Sequence, residues 1–153
     1  MYQPTLCIDV SKSKSYASAF LSPNNPVSKP FSFSHTEDGM KQVKVVLNQI
    51  QTDTSVKPTI VLEATGNYSK SLVLYFQTIG YDVVVLNPLT TSTQKRKSMR
   101  KVKTDPIDTY RIAQVYYMNQ YSPDISIDEK YEELRNLCRQ WDGFNILYTE
   151  TQL

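Results

Sequence analysis

The sequence predicts an α/β fold in which a mixed β-sheet carries helices on both faces and a helical extension follows. Three observations predict it. Strand-like segments joined by short loops fill the first 34 residues. Two continuous apolar runs flank a helical pattern between residues 59 and 87. Apolar residues then recur at near-heptad spacing over residues 127–148. A length of 153 residues suits one such domain with an appended element.

Taken in order, residues 5–10 (Thr-Leu-Cys-Ile-Asp-Val) read as a buried strand with one charge inside it, and residues 15–21 as a second strand. The intervening Ser-Lys-Ser-Lys is too short for a helix, so the two strands form a hairpin. Residues 22–30 hold three prolines and two asparagines and read as a loop. Phe31-Ser-Phe-Ser alternates with period 2 and gives a third strand. Thr36 suits an N-cap, with Glu37 and Asp38 in the first turn and Met40, Val43, Leu47 and Ile50 at helical spacing. Residues 59–63 are a short apolar run ending in Glu63. Leu72, Tyr75, Phe76 and Ile79 share one helical face, and Gly80 stands where a C-cap glycine belongs. The Val-rich run 82–87 is a strand stopped by Pro88, which completes a βαβ unit with parallel pairing. A polar helix of roughly ten residues is expected after Pro88 and another from about residue 105 to 120. A last helix follows the Tyr-Ser-Pro-Asp loop at 121–124. This order is the one expected of ribonuclease-H-like folds, with other α/β folds open from pattern alone. In the last helix, Ile127, Tyr131, Leu134, Cys138, Trp141 and Tyr148 form a stripe that suits either a partner helix or the helix's own domain.

Charge is uneven. The formal net charge is +2, but residues 95–103 carry six basic and no acidic groups, and residues 104–153 carry four basic and nine acidic. No apolar run approaches the ~18 residues of a membrane-spanning helix. Cys7 and Cys138 are the only cysteines, so no disulfide scaffold is expected. Asp9 interrupts the first apolar stretch, which argues against a signal peptide, and a reducing cytoplasm is the expected compartment.

Four carboxylates stand out by position. Asp9 lies within a buried strand, where an unpartnered charge costs several kcal/mol, on the order of that of any desolvated ion. Glu63 closes a parallel strand, and the carboxyl ends of such strands are where ligands bind. Asp105 and Asp108 stand three apart at a helix start and share a side. Each also has an ordinary structural role. Asp9 can satisfy hairpin donors, Glu63 can cap the next helix, and Asp105-Pro-Ile-Asp108 is a capping box with proline at N1. Capping and metal binding are compatible. In a ribonuclease-H-like sheet the first strand is central and the strand ending at Glu63 lies beside it. Acids on both, with acids from a later helix, can therefore converge at one edge. Four such carboxylates repel unless cations neutralise them, and oxygen-only ligands favour Mg²⁺ or Mn²⁺ over Zn²⁺. Two such ions can activate water and stabilise a leaving oxygen at a phosphodiester.

The basic run abuts the Asp105/Asp108 pair. Lys95, Arg96, Lys97, Arg100, Lys101 and Lys103 read either as a solvated face or as contacts to a phosphate backbone, largely independent of base sequence. Tyr68, Tyr116 and Tyr117 could stack on bases, but core packing is the simpler expectation. His35 reads as a surface or turn residue rather than a base.

These residues together resemble a known family. Cys7-Ile-Asp9-Val-Ser-Lys12 is similar to its first motif and Glu63-Ala-Thr-Gly66-Asn-Tyr68 to its second. Asn87-Pro88 after a Val-rich strand, followed by Lys103-Thr-Asp105-Pro-Ile-Asp108, is similar to its third. The family is the DEDD transposases of bacterial insertion sequences, the insertion-sequence-110 group, which includes pilin-gene invertases. The resemblance implies a RuvC-like ribonuclease-H fold over residues 1–122, with Asp9, Glu63, Asp105 and Asp108 as catalytic ligands of two Mg²⁺ or Mn²⁺ ions. It implies DNA cleavage and rejoining, with a structured guide RNA choosing the DNA sites. It also implies a helical connector, beginning at residues 123–153, that leads to a serine-bearing C-terminal domain with no counterpart here. Self-association through the last helix is expected, and a membrane partner is not. Thr109 replaces the usual alanine and Ser69 a common aromatic. A junction-resolving nuclease with the same acids and a non-catalytic nucleic-acid-binding remnant are the alternatives.

Overall fold

The computed structural model describes residues 2–27, 29–64, 66–87, 105–119 and 129–151. They belong to two compact units, Met1–Pro123 and Asp124–Leu153.

The first unit is built on a six-stranded sheet. Strand β1 (Thr5–Asp9) lies between β2 (Lys14–Ser22), which it pairs antiparallel, and β5 (Thr59–Glu63), which it pairs parallel. Strand β6 (Val83–Leu86) adds to β5, again parallel. On its other side β2 carries β3 (Asn25–Pro26) and β4 (Phe31–Ser34), both antiparallel. The strand order β3-β2-β1-β5-β6 puts the parallel strands at the centre and at one edge. The segment expected to be loop between residues 22 and 30 thus contains a two-residue strand. Two rungs are too short to leave a periodic pattern, and a register shift on β2 accommodates them.

Helix α1 (Glu37–Thr54) starts where Thr36 Oγ1 accepts the Gly39 amide at 3.4 Å. It buries Met40, Val43, Leu47 and Ile50. Helix α2 (Gly66–Thr78) buries Leu72, Val73 and Phe76. Its end is a two-bond glycine cap. Gly80, at φ 82°, donates to the Gln77 carbonyl at 2.8 Å, and Tyr81 donates to the Phe76 carbonyl at 2.9 Å. Both helices pack on the face of the sheet that carries Leu6, Ile8, Ile60 and Leu62. Helix α3 (Asp105–Asn119) packs on the opposite face, where Ile112, Ala113, Val115, Tyr116 and Tyr117 meet Cys7, Phe20, Val61, Val84 and Leu86. Alternation along each strand divides the two cores. The polar helix expected after Pro88 falls on residues 88–104, outside the described residues.

In the second unit, helix α4 (Glu129–Glu150) exposes Leu134, Leu137, Trp141, Phe144, Ile146 and Tyr148. Among the described residues, no helix is long and apolar enough to cross a membrane.

Candidate active site

Asp9 is the last residue of β1 rather than an interior one, and it is half-buried. Its place at the strand end resolves the cost expected for a charge deep in a sheet, because the carboxylate sits at the rim of the core. Glu63 likewise ends β5 and is half-buried. Four consecutive parallel rungs, from Thr5↔Thr59 to Ile8↔Leu62, bring the next residue of each strand level. Asp9 and Glu63 therefore stand side by side on adjacent strands, whose spacing is ~4.8 Å. Their side is set by Cys7 and Val61, two residues earlier, which face α3.

Helix α3 crosses this same face. Its carboxyl end is pinned at the amino ends of the strands. Tyr117 Oη donates to the Gln3 carbonyl at 2.8 Å and has the Phe20 carbonyl at 3.3 Å as a second acceptor; the Thr5 hydroxyl lies 3.1 Å away. Tyr116 hydrogen-bonds the Thr59 side chain. Burial pushes both phenols above their ordinary range, with these hydrogen bonds opposing the shift. Burial likewise pushes the Cys7 thiol up to about 12, so it stays protonated and unreactive near neutrality. Of the three tyrosines considered for stacking, Tyr116 and Tyr117 are core residues and Tyr68 is exposed.

The other end of α3 opens with Asp105, and Asp108 stands one turn later. Asp108 is only 14% exposed, and Arg111, three residues on, holds it at 2.8 Å. A pair this dry is stronger than a surface ion pair, since water competes less for either charge. The sequence reading missed Arg111, although the i, i+3 spacing of opposite charges was its signal.

The donors available are all carboxylate oxygens, which suit a hard divalent cation. Asp9 and Glu63 supply two of the four proposed ligands at one level. Among the described residues, no group of three or more His, Cys, Asp or Glu side chains is disposed around a common metal position. Lys95, Arg96, Lys97, Arg100, Lys101 and Lys103 lie outside the described residues.

His35 lies in the bend after β4 and is half-buried; its Nε2 is 2.7 Å from the Ser15 hydroxyl, a contact that ties this bend to β2.

A family model described as a transposase, of the DEDD insertion-sequence-110 group, matches residues 6–149. The chain belongs to this DEDD transposase family. Among curated proteins no sequence matches it. Among solved structures, the transposase domain is similar to T. thermophilus RuvC in complex with a Holliday junction substrate. The TM-score is 0.51 at 6% identity, with 78% of this chain and 96% of that chain covered. A second Thermus thermophilus RuvC structure gives 0.49 at 6% identity, over 74% and 92%. The likeness at a TM-score of 0.51, with the mixed sheet and its helices, shows the RuvC-like, ribonuclease-H-like fold. Ser69 and Thr109, which depart from the family motifs, are both buried, at 4% and 0% exposure.

Proposed function

We propose that this transposase domain cuts and rejoins DNA strands in a metal-dependent reaction during movement of an insertion sequence. Asp9, Glu63, Asp105 and Asp108 are assigned as the ligands of two Mg²⁺ or Mn²⁺ ions. The observation that carries the reading is the level placement of Asp9 and Glu63 at the carboxyl ends of adjacent parallel strands, on the face that α3 covers.

In this reading the chain's own residues do three things. The sheet fixes Asp9 and Glu63 at one level, so no reorganisation is needed when a phosphodiester arrives. Arg111 holds the Asp108 carboxylate and offsets its charge until substrate and cation bind. Lys95, Arg96, Lys97, Arg100, Lys101 and Lys103 contact the DNA backbone. When bound, the two ions would activate the attacking oxygen and stabilise the leaving one. Guidance by a structured RNA and a serine-bearing second domain belong to the same proposal and rest on the family resemblance; self-association through α4 rests on its exposed apolar residues. A junction-resolving nuclease would use the same four acids; the family match favours transposition over it.

The test is Mn²⁺ binding by titration calorimetry, with circular dichroism as a folding control. Wild type is expected to bind, and the Asp9→Asn/Asp105→Asn variant to lose most of the affinity. Equal binding by both proteins overturns the ligand assignment.

A further inference from the structure

The turn between β1 and β2 leaves the sheet directly after Asp9, at the edge where Asp9 and Glu63 end their strands. It reads Ser11-Lys12-Ser13 and runs into Lys14, the first residue of β2, and all four residues are exposed. Among the described residues, neither lysine has an ion-pair, hydrogen-bonding or ring partner for its ammonium group. Lys29 is likewise without one, whereas Lys41 pairs with Glu37 and Asp38, Lys57 lies over the Tyr81 ring, Lys44 over Tyr75, and Arg111 on Asp108.

The turn is also held in place. The Ser11 hydroxyl donates to the Lys14 carbonyl, and the Ser11 amide donates to the Ser15 hydroxyl at 3.4 Å. Ser15 is fully buried and hydrogen-bonded to His35 at 2.7 Å, and it pairs with Phe33 across β2 and β4. Fixing the backbone lowers the entropic cost of holding two long cationic side chains against a ligand. Two exposed lysines in the segment that follows Asp9, at the edge where two half-buried carboxylates end their strands, give that edge both signs of charge. Such an edge suits a polyanion whose reacting phosphate approaches the acids while its neighbouring phosphates meet the lysines.

We propose that the Ser11–Lys14 segment is a phosphate-binding element that grips the DNA backbone beside the phosphodiester to be cut, with Lys12 and Lys14 each contacting one phosphate. This rests on the DNA-cleaving reading above. It is separate from the basic run at 95–103, because it is attached to β1 itself and so fixes the register of the strand against Asp9. Lys12 and Lys14 are positioning residues, and DNA rather than RNA is the partner because the phosphates beside Asp9 and Glu63 are those of the strand being cut.

The experiment measures binding of the full chain to a fluorescein-labelled duplex DNA, and to an RNA duplex of the same sequence, by anisotropy over a range of KCl concentrations. For Lys12→Gln/Lys14→Gln the slope of log affinity against log salt on DNA is expected to fall by about 1.8, or about 0.9 per phosphate contact. Lys12→Arg/Lys14→Arg is expected to keep the wild-type slope, which a purely structural role for the turn would not predict. An unchanged slope in the glutamine variant, with wild-type DNA binding intact, overturns this proposal and leaves the DNA-cleaving reading standing. An equal or larger loss on RNA overturns the assignment of the turn to DNA. No salt-dependent DNA binding by wild type at all removes the functional reading itself.

Discussion

Tyr117 shows how one side chain fixes the register of a helix. Its hydroxyl reaches Gln3, Thr5 and Phe20 at the amino end of the sheet, and its ring stacks edge-on against Tyr2 and Tyr116. The folded state raises its pKa above the unfolded value of about 10. A raised pKa means the native state holds the proton more tightly. The associated stability is therefore complete below pH ~10 and declines as pH rises beyond it. The urea midpoint of wild type should fall between about pH 10 and 11. Tyr117→Phe should start lower at pH 8, by about 1 kcal/mol, and fall less steeply. Parallel declines would show that the phenol does not govern alkaline stability. Single residues were unevenly legible from sequence. Thr36 and Gly80 announce themselves, because capping chemistry is local to a few neighbouring residues. The Arg111 hold on Asp108 is as local, but opposite charges at i, i+3 are common on exposed helix faces and do not announce a half-buried pair. The bond from Ser15 to His35 spans 20 residues and depends on β2–β4 pairing, which no local pattern reveals.

At the scale of elements, α1 and β4 approach so closely that a side chain between them is excluded. A Cβ on Gly39 would lie 2.0 Å from the Ser34 carbonyl oxygen. Backbone on both sides leaves nothing to rotate away, so Gly39→Ala should force α1 off the sheet. The expected cost is about 2 kcal/mol or more, read as a lower thermal midpoint with Ser34→Ala giving no rescue. A variant as stable as wild type would mean that the approach is looser than described. The β1, β5 and β6 strands were readable because continuous apolar runs bounded by polar or proline residues have few other uses. The two-residue β3 was not, and Asp9 was read as interior because a sequence cannot show at which residue pairing stops.

For the whole molecule, the two units differ in how they satisfy their apolar residues. The first covers both faces of a sheet. The second presents Leu134, Leu137, Trp141, Phe144 and Tyr148 on a helix, all more than half exposed. Large apolar side chains gathered on one helix suit burial against another surface. Self-association through α4 predicts concentration-dependent sedimentation that is lost in Leu137→Glu/Trp141→Glu; a monomer at all concentrations in wild type would exclude it. The near-heptad spacing was legible, but a stripe of apolar residues does not by itself name the surface that covers it.

The four unbroken rungs between β1 and β5 carry a further consequence, one of parity. Side chains alternate faces, so inserting or deleting one residue between Cys7 and Asp9 would turn the carboxylate toward α1 and α2, while a two-residue change would keep its face and lose only its height. The same holds for Glu63 after Val61. Length variation compatible with this edge is therefore confined to even steps within the strands, or to the connections beyond them.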